Sequence, residues 1–294
     1  MRQSKAFVWL ASALLTLSLL AIEPQPAAAQ ADIDLGIPDT GQEAGVPAGG
    51  WCGEAAIQMA CLHYGAYIPQ RLINRAGKPQ HPDLYAEELG RALDGVGFSY
   101  EHWKPRAAGE SNVAGFIGWI RTNLAAGRPV IVGAKVNPTQ HPEWVCDHFM
   151  LAVGAKAHSL IFNTTWKRRE ELTREQLAGT DKGLGFENSY RHYFGLVVTG
   201  KKAGRANERP VSIRLDPAAS GGGAKCTVLV RDLEKGRQYV LVREGGPAAH
   251  ADAAPHGADR ETFTASSNTR EIPTALPAAE PSVFYCVPAS GSAP

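Results

Sequence analysis

A glycine-rich turn followed by a cysteine and an apolar helical segment is the feature that most constrains this chain. Residues 49–65 read Gly-Gly-Trp-Cys-Gly-Glu-Ala-Ala-Ile-Gln-Met-Ala-Cys-Leu-His-Tyr-Gly. On a helix, Glu54 and Gln58 form a narrow polar stripe, and the rest of the circumference is apolar. A helix of this kind is buried on nearly every side. We therefore predict that it runs through the middle of a domain and ends at Gly65.

Cys52 stands at the start of this predicted helix. Unpaired N–H groups and the helix dipole at such a position favour a thiolate, and they can also donate hydrogen bonds to an oxyanion. We therefore expect a nucleophile whose pKa is depressed. A buried structural cysteine is the alternative, because free cysteines are usually buried. The rest of the chain has to separate the two.

The first 29 residues have the pattern of a signal peptide. Arg2 and Lys5 precede an apolar run over residues 6–22, and Ala27-Ala28-Ala29 matches the small-residue pattern of a cleavage site. We expect residues 1–29 to be removed and the protein to be secreted or periplasmic, with no stable membrane insertion afterwards. An uncleaved anchor is the alternative, although the run is slightly short for a membrane span.

Composition argues against a nucleic-acid partner. The chain has 30 basic and 29 acidic residues, so its charges nearly cancel, and we find no basic patch interleaved with aromatic residues. His141, Cys146 and His148 resemble a metal cluster, but they lie on one short segment without a second ligand pair at a zinc-like spacing. We expect no metal and no other cofactor.

The order of predicted elements indicates an α+β fold, because helices come first and antiparallel strands follow. Residues 30–200 are expected to form one domain, residues 201–209 a polar linker, and residues 210–290 a small β-sandwich-like domain. The strands predicted from the sequence are 98–103, 130–136, 147–155, 159–163, 193–199, the alternating segment 211–215, 226–233, 238–244, 261–266 and 282–287. The segment 232–239 resembles the Leu…Gly…Tyr corner of fibronectin type III domains.

Five cysteines are an odd number for an exported chain, so at least one is expected to be unpaired or to bond another molecule. We expect Cys226 and Cys286, both in strand-like segments, to form a disulfide that staples the β-domain. A bond between Cys61 and Cys146 is not expected, because Cys61 lies deep along the helix.

A thiol nucleophile needs a base and a group that orients the base. His148 opens a predicted strand, and Asn163 lies on the next strand, across a hairpin. Side chains on one face of neighbouring antiparallel strands approach within about 5–8 Å. We therefore predict that Asn163 orients His148 and that His148 serves Cys52.

The motifs that carry this order of residues resemble those of the C39-like branch of papain-like cysteine peptidases. The family shows a Gln ahead of a Cys-Gly-Pro/Glu-Ala helix start, then Tyr-Gly, Gly-x-Pro-Val-Ile and His-Phe-x-x-x-x-Gly strands, and an Asn/Asp-containing strand end. The matching segments are Cys52-Gly53-Glu54-Ala55, Tyr64-Gly65, Gly127-Arg128-Pro129-Val130-Ile131, His148-Phe149 with Gly154, and Asn163-Thr164-Thr165-Trp166. The resemblance covers about residues 36–200.

The resemblance implies a papain-like fold, with Cys52 as nucleophile and His148 as general base and acid. Two departures matter. The family's third motif commonly ends in Asn-Asp-Pro, whereas Thr164 and Thr165 stand in the last two places here, so either Asn163 takes the orienting role or the third position, at Thr164, is missing. Gln42 is the candidate oxyanion-hole residue, although it lies ten positions before the cysteine. The Cys52 N–H with another donor is the alternative.

The leading functional hypothesis is a secreted cysteine peptidase that cleaves a peptide or protein substrate through a thioester acyl-enzyme. A thiol acyltransferase on the same site is an alternative. A non-catalytic peptide- or surface-binding protein with a papain-like fold is the third hypothesis, which the substituted third motif keeps open. The C-terminal domain is expected to bind a surface or polymer ligand.

Overall fold

The computed structural model describes residues 32–43, 50–104, 112–137, 139–144, 146–179, 183–186, 193–216, 223–245, 259–277 and 280–289. They belong to one compact unit, Ala31–Pro294. The predicted signal peptide, residues 1–29, lies outside the described residues. Over the part of the chain that is described, no helix has both the length and the apolar character needed to cross a membrane.

The described residues form a mixed α+β structure, as predicted. Its helices are α1 (Cys52–His63), α2 (Gln70–Gly77), α3 (Ala86–Gly95), α4 (Val113–Ala125) and α5 (Arg174–Ala178). Its strands are β1 (Ile33–Asp34), β2 (Ala66–Tyr67), β3 (Phe98–His102), β4 (Val130–Ala134), β5 (His148–Ala155), β6 (Ser159–Asn163), β7 (Arg169–Thr173), β8 (Gly195–Lys201), β9 (Val211–Leu215), β10 (Gly223–Val230), β11 (Gln238–Gly245), β12 (Asp259–Thr264), β13 (Arg270–Pro277) and β14 (Ser282–Pro288).

An antiparallel sheet carries the site. Its strand order is β3-β8-β4-β5-β6-β7, and β1 pairs with the far end of β5. The strands β4 and β5 are buried along their whole length, which explains why their sequences are continuous apolar runs. The hairpin from β5 to β6 is the one predicted around residues 156–158.

Helices cover both faces of this sheet. Alternate residues of β5 contribute to two separate cores: Phe149, Leu151 and Val153 pack with α1, α2 and α3, whereas Met150 and Ala152 pack with α4 and α5. Helix α1 is the buried one, since every residue from Gly53 to Leu62 is inaccessible to solvent or nearly so. The prediction of a buried helix is confirmed.

The C-terminal strands form two further antiparallel sheets, β13-β10-β9 and β12-β11-β14-β2, which share one apolar core. Tyr239 is fully buried there, and its hydroxyl accepts a hydrogen bond from the Glu234 N–H at 3.0 Å. The short strand β2 belongs to the chain directly after α1, yet it pairs with β14. Leu62 of α1 enters the same core.

All five cysteine thiols are free in this structure, so the disulfide expected between Cys226 and Cys286 is not formed. The two residues lie on different sheets: Cys226 is on β10 and Cys286 is on β14. Both are buried in the core between those sheets, where they act as small apolar side chains.

Candidate active site

Helix α1 places Cys52 beside the first residues of β5. Trp51 is the N-cap residue and its side chain makes no capping hydrogen bond, whereas the Gly53 N–H in the first turn donates to the Cys52 sulfur. A Cβ atom at Gly53 would lie 2.8 Å from the Leu89 side chain and 3.4 Å from the Phe149 ring. Glycine at position 53 therefore allows the helix start to approach β5 closely.

The Cys52 thiol is protonated in the resting structure. Burial raises the pKa of Cys52 to about 12, and the nearby carboxylates of Glu54 and Asp83 add to the rise. Hydrogen bonding from the main chain of Phe149 and Gly53 offsets part of it. The prediction of a depressed pKa is wrong, because desolvation outweighs the helix start.

His148 occupies the first position of β5, directly before Phe149. Its Nε2 lies 2.8 Å from the main-chain oxygen of Thr164. Since a carbonyl oxygen only accepts hydrogen bonds, Nε2 carries the proton and Nδ1 is the basic nitrogen. Burial lowers the pKa of His148 to about 4, against the opposing effects of the Thr164 carbonyl and the Asp147 charge. The imidazole is therefore neutral at pH 7.

The turn after β6 holds the His148 ring. The Thr165 hydroxyl lies 3.5 Å from Nε2, and the Trp166 ring stacks on the imidazole with 4.1 Å between centroids. Thr165 is fully buried and has a φ of +67°. This region of φ is unfavourable for a β-branched residue, and such strain clusters at functional sites. The turn thus fixes the orientation of the His148 ring and shields one face of the ring from solvent.

Asn163 does not orient His148, so this part of the predicted site is wrong. Its Nδ2 donates to the Ile37 carbonyl at 2.9 Å and contacts the Met59 sulfur at 3.5 Å. No hydrogen bond between described residues joins it to His148. The register explains the error, because Asn163 pairs with Leu151, three positions beyond His148. The residues that reach His148 belong to the turn that follows Asn163.

Asp39 supports that turn from the N-terminal segment. Its Oδ2 accepts a hydrogen bond from the Thr165 N–H at 3.0 Å and lies 3.5 Å from the Thr164 hydroxyl. Its Oδ1 accepts from the Gly41 N–H at 2.9 Å. Asp39 belongs to none of the sequence motifs described above. The one sequence feature that points to Asp39 is its position three residues before Gln42, and this position is informative only when the structure of the turn after β6 is known.

Gln42, the predicted oxyanion-hole residue, contacts Trp51, the residue that precedes Cys52. Its Oε1 accepts a hydrogen bond from the Trp51 N–H at 2.7 Å, and its own N–H donates to the Thr165 carbonyl at 3.1 Å. No described residue accepts a hydrogen bond from its Nε2. The amide is thus anchored through its oxygen next to the residue that precedes Cys52, and its two N–H bonds have no acceptor among the described residues.

Glu54 is a buried carboxyl group two positions after Cys52. Its Oε1 accepts hydrogen bonds from Asn74 Nδ2 at 2.8 Å and from the Leu84 N–H at 3.1 Å. Its Oε2 is buried and has no hydrogen-bond partner among the described residues. Burial raises the pKa of Glu54 to about 7, so the carboxyl is partly protonated at neutral pH.

A buried ion pair holds the segment before His148. Lys135 is 2% exposed, and its Nζ lies 3.8 Å from Asp147 Oδ2. Asp147 also accepts hydrogen bonds from the N–H groups of Val136 and Asn137 at 2.7 and 2.9 Å. Cys146 packs against Gly133, where a Cβ would lie 2.7 Å from its sulfur. This second thiol is half-buried like Cys52, and the two groups interact electrostatically.

The predicted residues therefore fall into two groups. Cys52 lies beside Phe149, the residue that follows His148, and Gln42 bonds to Trp51, the residue that precedes Cys52, whereas Asn163 bonds to Ile37. No hydrogen bond between described residues joins the Cys52 sulfur to His148, and catalytic hydrogen bonds often tighten only when substrate binds. Within the described ranges, no group of three or more His, Cys, Asp or Glu residues is arranged to hold a metal ion.

No protein-family model matches the sequence, and the search of curated proteins finds no match.

Proposed function

We propose that this chain is a thiol hydrolase of the papain-like, C39-like type, most readily a peptidase, with Cys52 as nucleophile and His148 as general base and acid. One observation carries the proposal. His148 donates its Nε2 proton to the Thr164 carbonyl, which leaves a basic Nδ1 on the residue next to Phe149, whose main chain bonds to the Cys52 sulfur.

The directions of the two pKa shifts define the resting state of this site. A thiol with a raised pKa and an imidazole with a lowered pKa are both neutral at pH 7. The proton must therefore move from Cys52 to His148 as the sulfur attacks the substrate carbonyl, rather than before it. The resulting imidazolium then gives the proton to the leaving amine, and water releases the acyl group from the thioester.

The developing oxyanion needs donors that are in place beforehand. We assign this role to Gln42 Nε2, from which no described residue accepts a hydrogen bond, and to the Cys52 N–H at the start of α1. Gln42 is held through its oxygen by Trp51, so its amide cannot rotate freely. This contact with the residue before Cys52 supports a role for Gln42 despite the ten-residue spacing, which is the second departure from the family pattern.

The decisive experiment is labelling of the mature chain by an epoxysuccinyl thiol inhibitor, followed by mass spectrometry. The proposal expects stoichiometric modification of Cys52, loss of labelling in Cys52→Ala, and strongly slowed labelling in His148→Ala. Cys146→Ala is the matched control, because Cys146 is half-buried in the same region. The proposal is contradicted if Cys146 is labelled in place of Cys52, or if the labelling rate of Cys52 is the same in His148→Ala as in wild type.

Product analysis then separates hydrolysis from acyl transfer. A hydrolase releases a free carboxylate from a peptide library whether or not an amine is present. An acyltransferase gives an amide product when the amine is added. A protein that labels at Cys52 but turns over no acyl substrate favours the third hypothesis, a binding protein that retains the fold.

A further inference from the structure

The family motif that this chain resembles places a carboxylate beside the catalytic histidine, whereas Thr164 and Thr165 stand there. A carboxylate is nevertheless present one step further away. The C=O of Thr164 accepts the hydrogen bond from His148 Nε2. The N–H of Thr165 donates to Asp39 Oδ2 at 3.0 Å. These two groups are the opposite ends of one peptide unit.

We propose that Asp39 is a positioning residue of the catalytic site, which acts on His148 through the peptide unit between Thr164 and Thr165. This inference rests on the proposed function, because it assigns to His148 the role of general base. The chain of hydrogen bonds runs from the Asp39 carboxylate through that amide to the Nε2 proton. It replaces the direct carboxylate–imidazole contact.

The physical effect is polarisation. A carboxylate that accepts from an amide N–H increases the negative charge on the carbonyl oxygen of the same amide, and hydrogen bonds in a chain strengthen one another. Bonds to an ionised group are also stronger than neutral ones. The Thr164 oxygen therefore holds the Nε2 proton more firmly, and the imidazolium formed during attack is stabilised.

The surroundings of Asp39 support a fixed geometry. Its second oxygen accepts a hydrogen bond from the Gly41 N–H. The main-chain N–H of Gln42 donates to the Thr165 carbonyl. Residues 39–42 therefore bind the turn through both the N–H and the C=O of Thr165. Asp39 contacts neither Cys52 nor the His148 ring among the hydrogen bonds of the described residues. Its influence on the ring therefore has to pass through the peptide unit.

Other charged groups around His148 need to be separated from this effect. Asp147 raises the pKa of His148 directly and is itself paired with Lys135. On the turn side, the Arg168 guanidinium lies over Trp166 at 5.5 Å from the ring centroid. From α1, the Cys52 thiol approaches β5 at Phe149. These groups are the same in an Asp39 variant and in wild type. A difference in the His148 pKa between the two proteins therefore reports the effect of Asp39.

Asp34 provides a matched control. Like Asp39, it lies in the N-terminal segment, and its Oδ1 accepts from the N–H two residues later, that of Gly36, at 2.8 Å. It pairs with Arg169 at the exposed surface instead of with the Thr164–Thr165 peptide. Asp34→Asn therefore removes the same charge from the same segment without breaking the chain of hydrogen bonds.

The test combines kinetics with nitrogen NMR. Asp39→Asn is expected to lower kcat about ten- to a hundredfold with little change in KM, because it loses a charge-assisted hydrogen bond that acts on the transition state. In the Cys52→Ala background, the ¹⁵N titration midpoint of His148 is expected to fall by roughly half a unit to one unit, because the imidazolium loses stabilisation. Asp34→Asn is expected to change neither quantity.

The wild-type chain supplies a measurement that does not depend on a variant folding. A scalar coupling across the hydrogen bond from the Thr165 amide nitrogen to the Asp39 carboxylate carbon is expected. Its absence overturns the inference, as does an unchanged His148 midpoint in folded Asp39→Asn or an equal shift in Asp34→Asn. If no acyl substrate is turned over, the proposed function fails, and the coupling and the midpoint still decide whether Asp39 acts on His148.

Discussion

His148 Nε2 lies 2.8 Å from the main-chain carbonyl oxygen of Thr164, and no other described residue lies closer to that nitrogen with a hydrogen-bonding atom. The orienting group of the candidate site is therefore part of the backbone. Side-chain substitution cannot remove a carbonyl oxygen, so the site is probed through the residues that hold the turn in place and those that cover the ring.

Removing the Trp166 ring is expected to raise the pKa of His148. The ring stacks on the imidazole, and burial is the largest cause of the lowered pKa. Water that replaces the ring stabilises the imidazolium. The acidic limb of kcat/KM is therefore expected to move from about pH 4 towards the ordinary histidine range of about 6.5 in Trp166→Ala. Trp166→Phe keeps the cover and is expected to leave the limb in place, and equal profiles for both variants contradict the assignment.

Glu54 is expected to make the protein less stable as the pH rises. Its pKa in the folded chain is about 7, above the ordinary value of 4.5, so the folded state binds this proton more tightly than the unfolded state. The stabilisation is fully present below pH 4.5 and is lost as the pH rises through 7. The amount is about 3 kcal/mol at full loss.

Glu54→Gln tests this linkage. An amide oxygen can still accept from Asn74 and from the Leu84 N–H, while the charge is gone, so the variant is expected to be more stable than wild type at pH 8 and to show a flatter pH dependence. Urea unfolding at pH 5 and pH 8 measures both. Glu87→Gln, on an exposed position of α3, is the control and is expected to keep the wild-type dependence.

Asn163 is expected to matter for stability more than for catalysis. Asn163→Ala removes the hydrogen bond to Ile37 and leaves that carbonyl buried and unpaired, which costs about 1–3 kcal/mol. Asn163→Asp is expected to be at least as destabilising, because a carboxylate cannot donate to a carbonyl and the site is fully buried. Urea unfolding orders the variants, and a selective loss of kcat in a fully stable Asn163→Ala would restore the direct orienting role.

Alkylation is expected to distinguish the cysteines by exposure. Cys52 and Cys146 are half-buried, whereas Cys61, Cys226 and Cys286 are buried. Iodoacetamide is therefore expected to modify the first two in the native protein and all five in urea. Because burial raises the pKa of Cys52 to about 12, its rate is expected to keep rising with pH beyond 8.5, the ordinary value for a free thiol. A plateau below pH 8 contradicts the raised pKa.

The central helix and strands were predictable because their local sequence patterns indicate the same burial that the tertiary structure gives them. The buried helix α1 and the apolar strands β4, β5 and β6 each have a pattern that only a buried element satisfies. Strand β13 was missed, since Pro273 and Pro277 argue against a strand. It lies at the edge of its sheet, where a residue without an N–H is tolerated.

Cys52, His148 and Gln42 could be singled out from the sequence because each belongs to a motif, and their proposed roles stay predictions. Asp39 and Thr165 could not be singled out, because their roles depend on a main-chain hydrogen bond between segments that are distant in sequence. Asn163 was assigned wrongly because alternation along two strands shows only which residues share a face of the sheet. It does not show which residues stand opposite each other. In the structure Asn163 pairs with Leu151, so it is not opposite His148. Burial likewise reversed the expected shift of the Cys52 pKa.

The pairing of β2 with β14 links the end of α1 to the last described strand. Residues more than 200 positions apart in sequence, such as Tyr67 and Ser282, must meet before Leu62 and Tyr67 are enclosed. Contacts between such distant segments form slowly, since a long loop has to close first. The C-terminal end of the helix that bears Cys52 is therefore enclosed only when β14 is in place. The surroundings of the candidate site thus depend on the C-terminal sheets as well as on the sheet that contains β5.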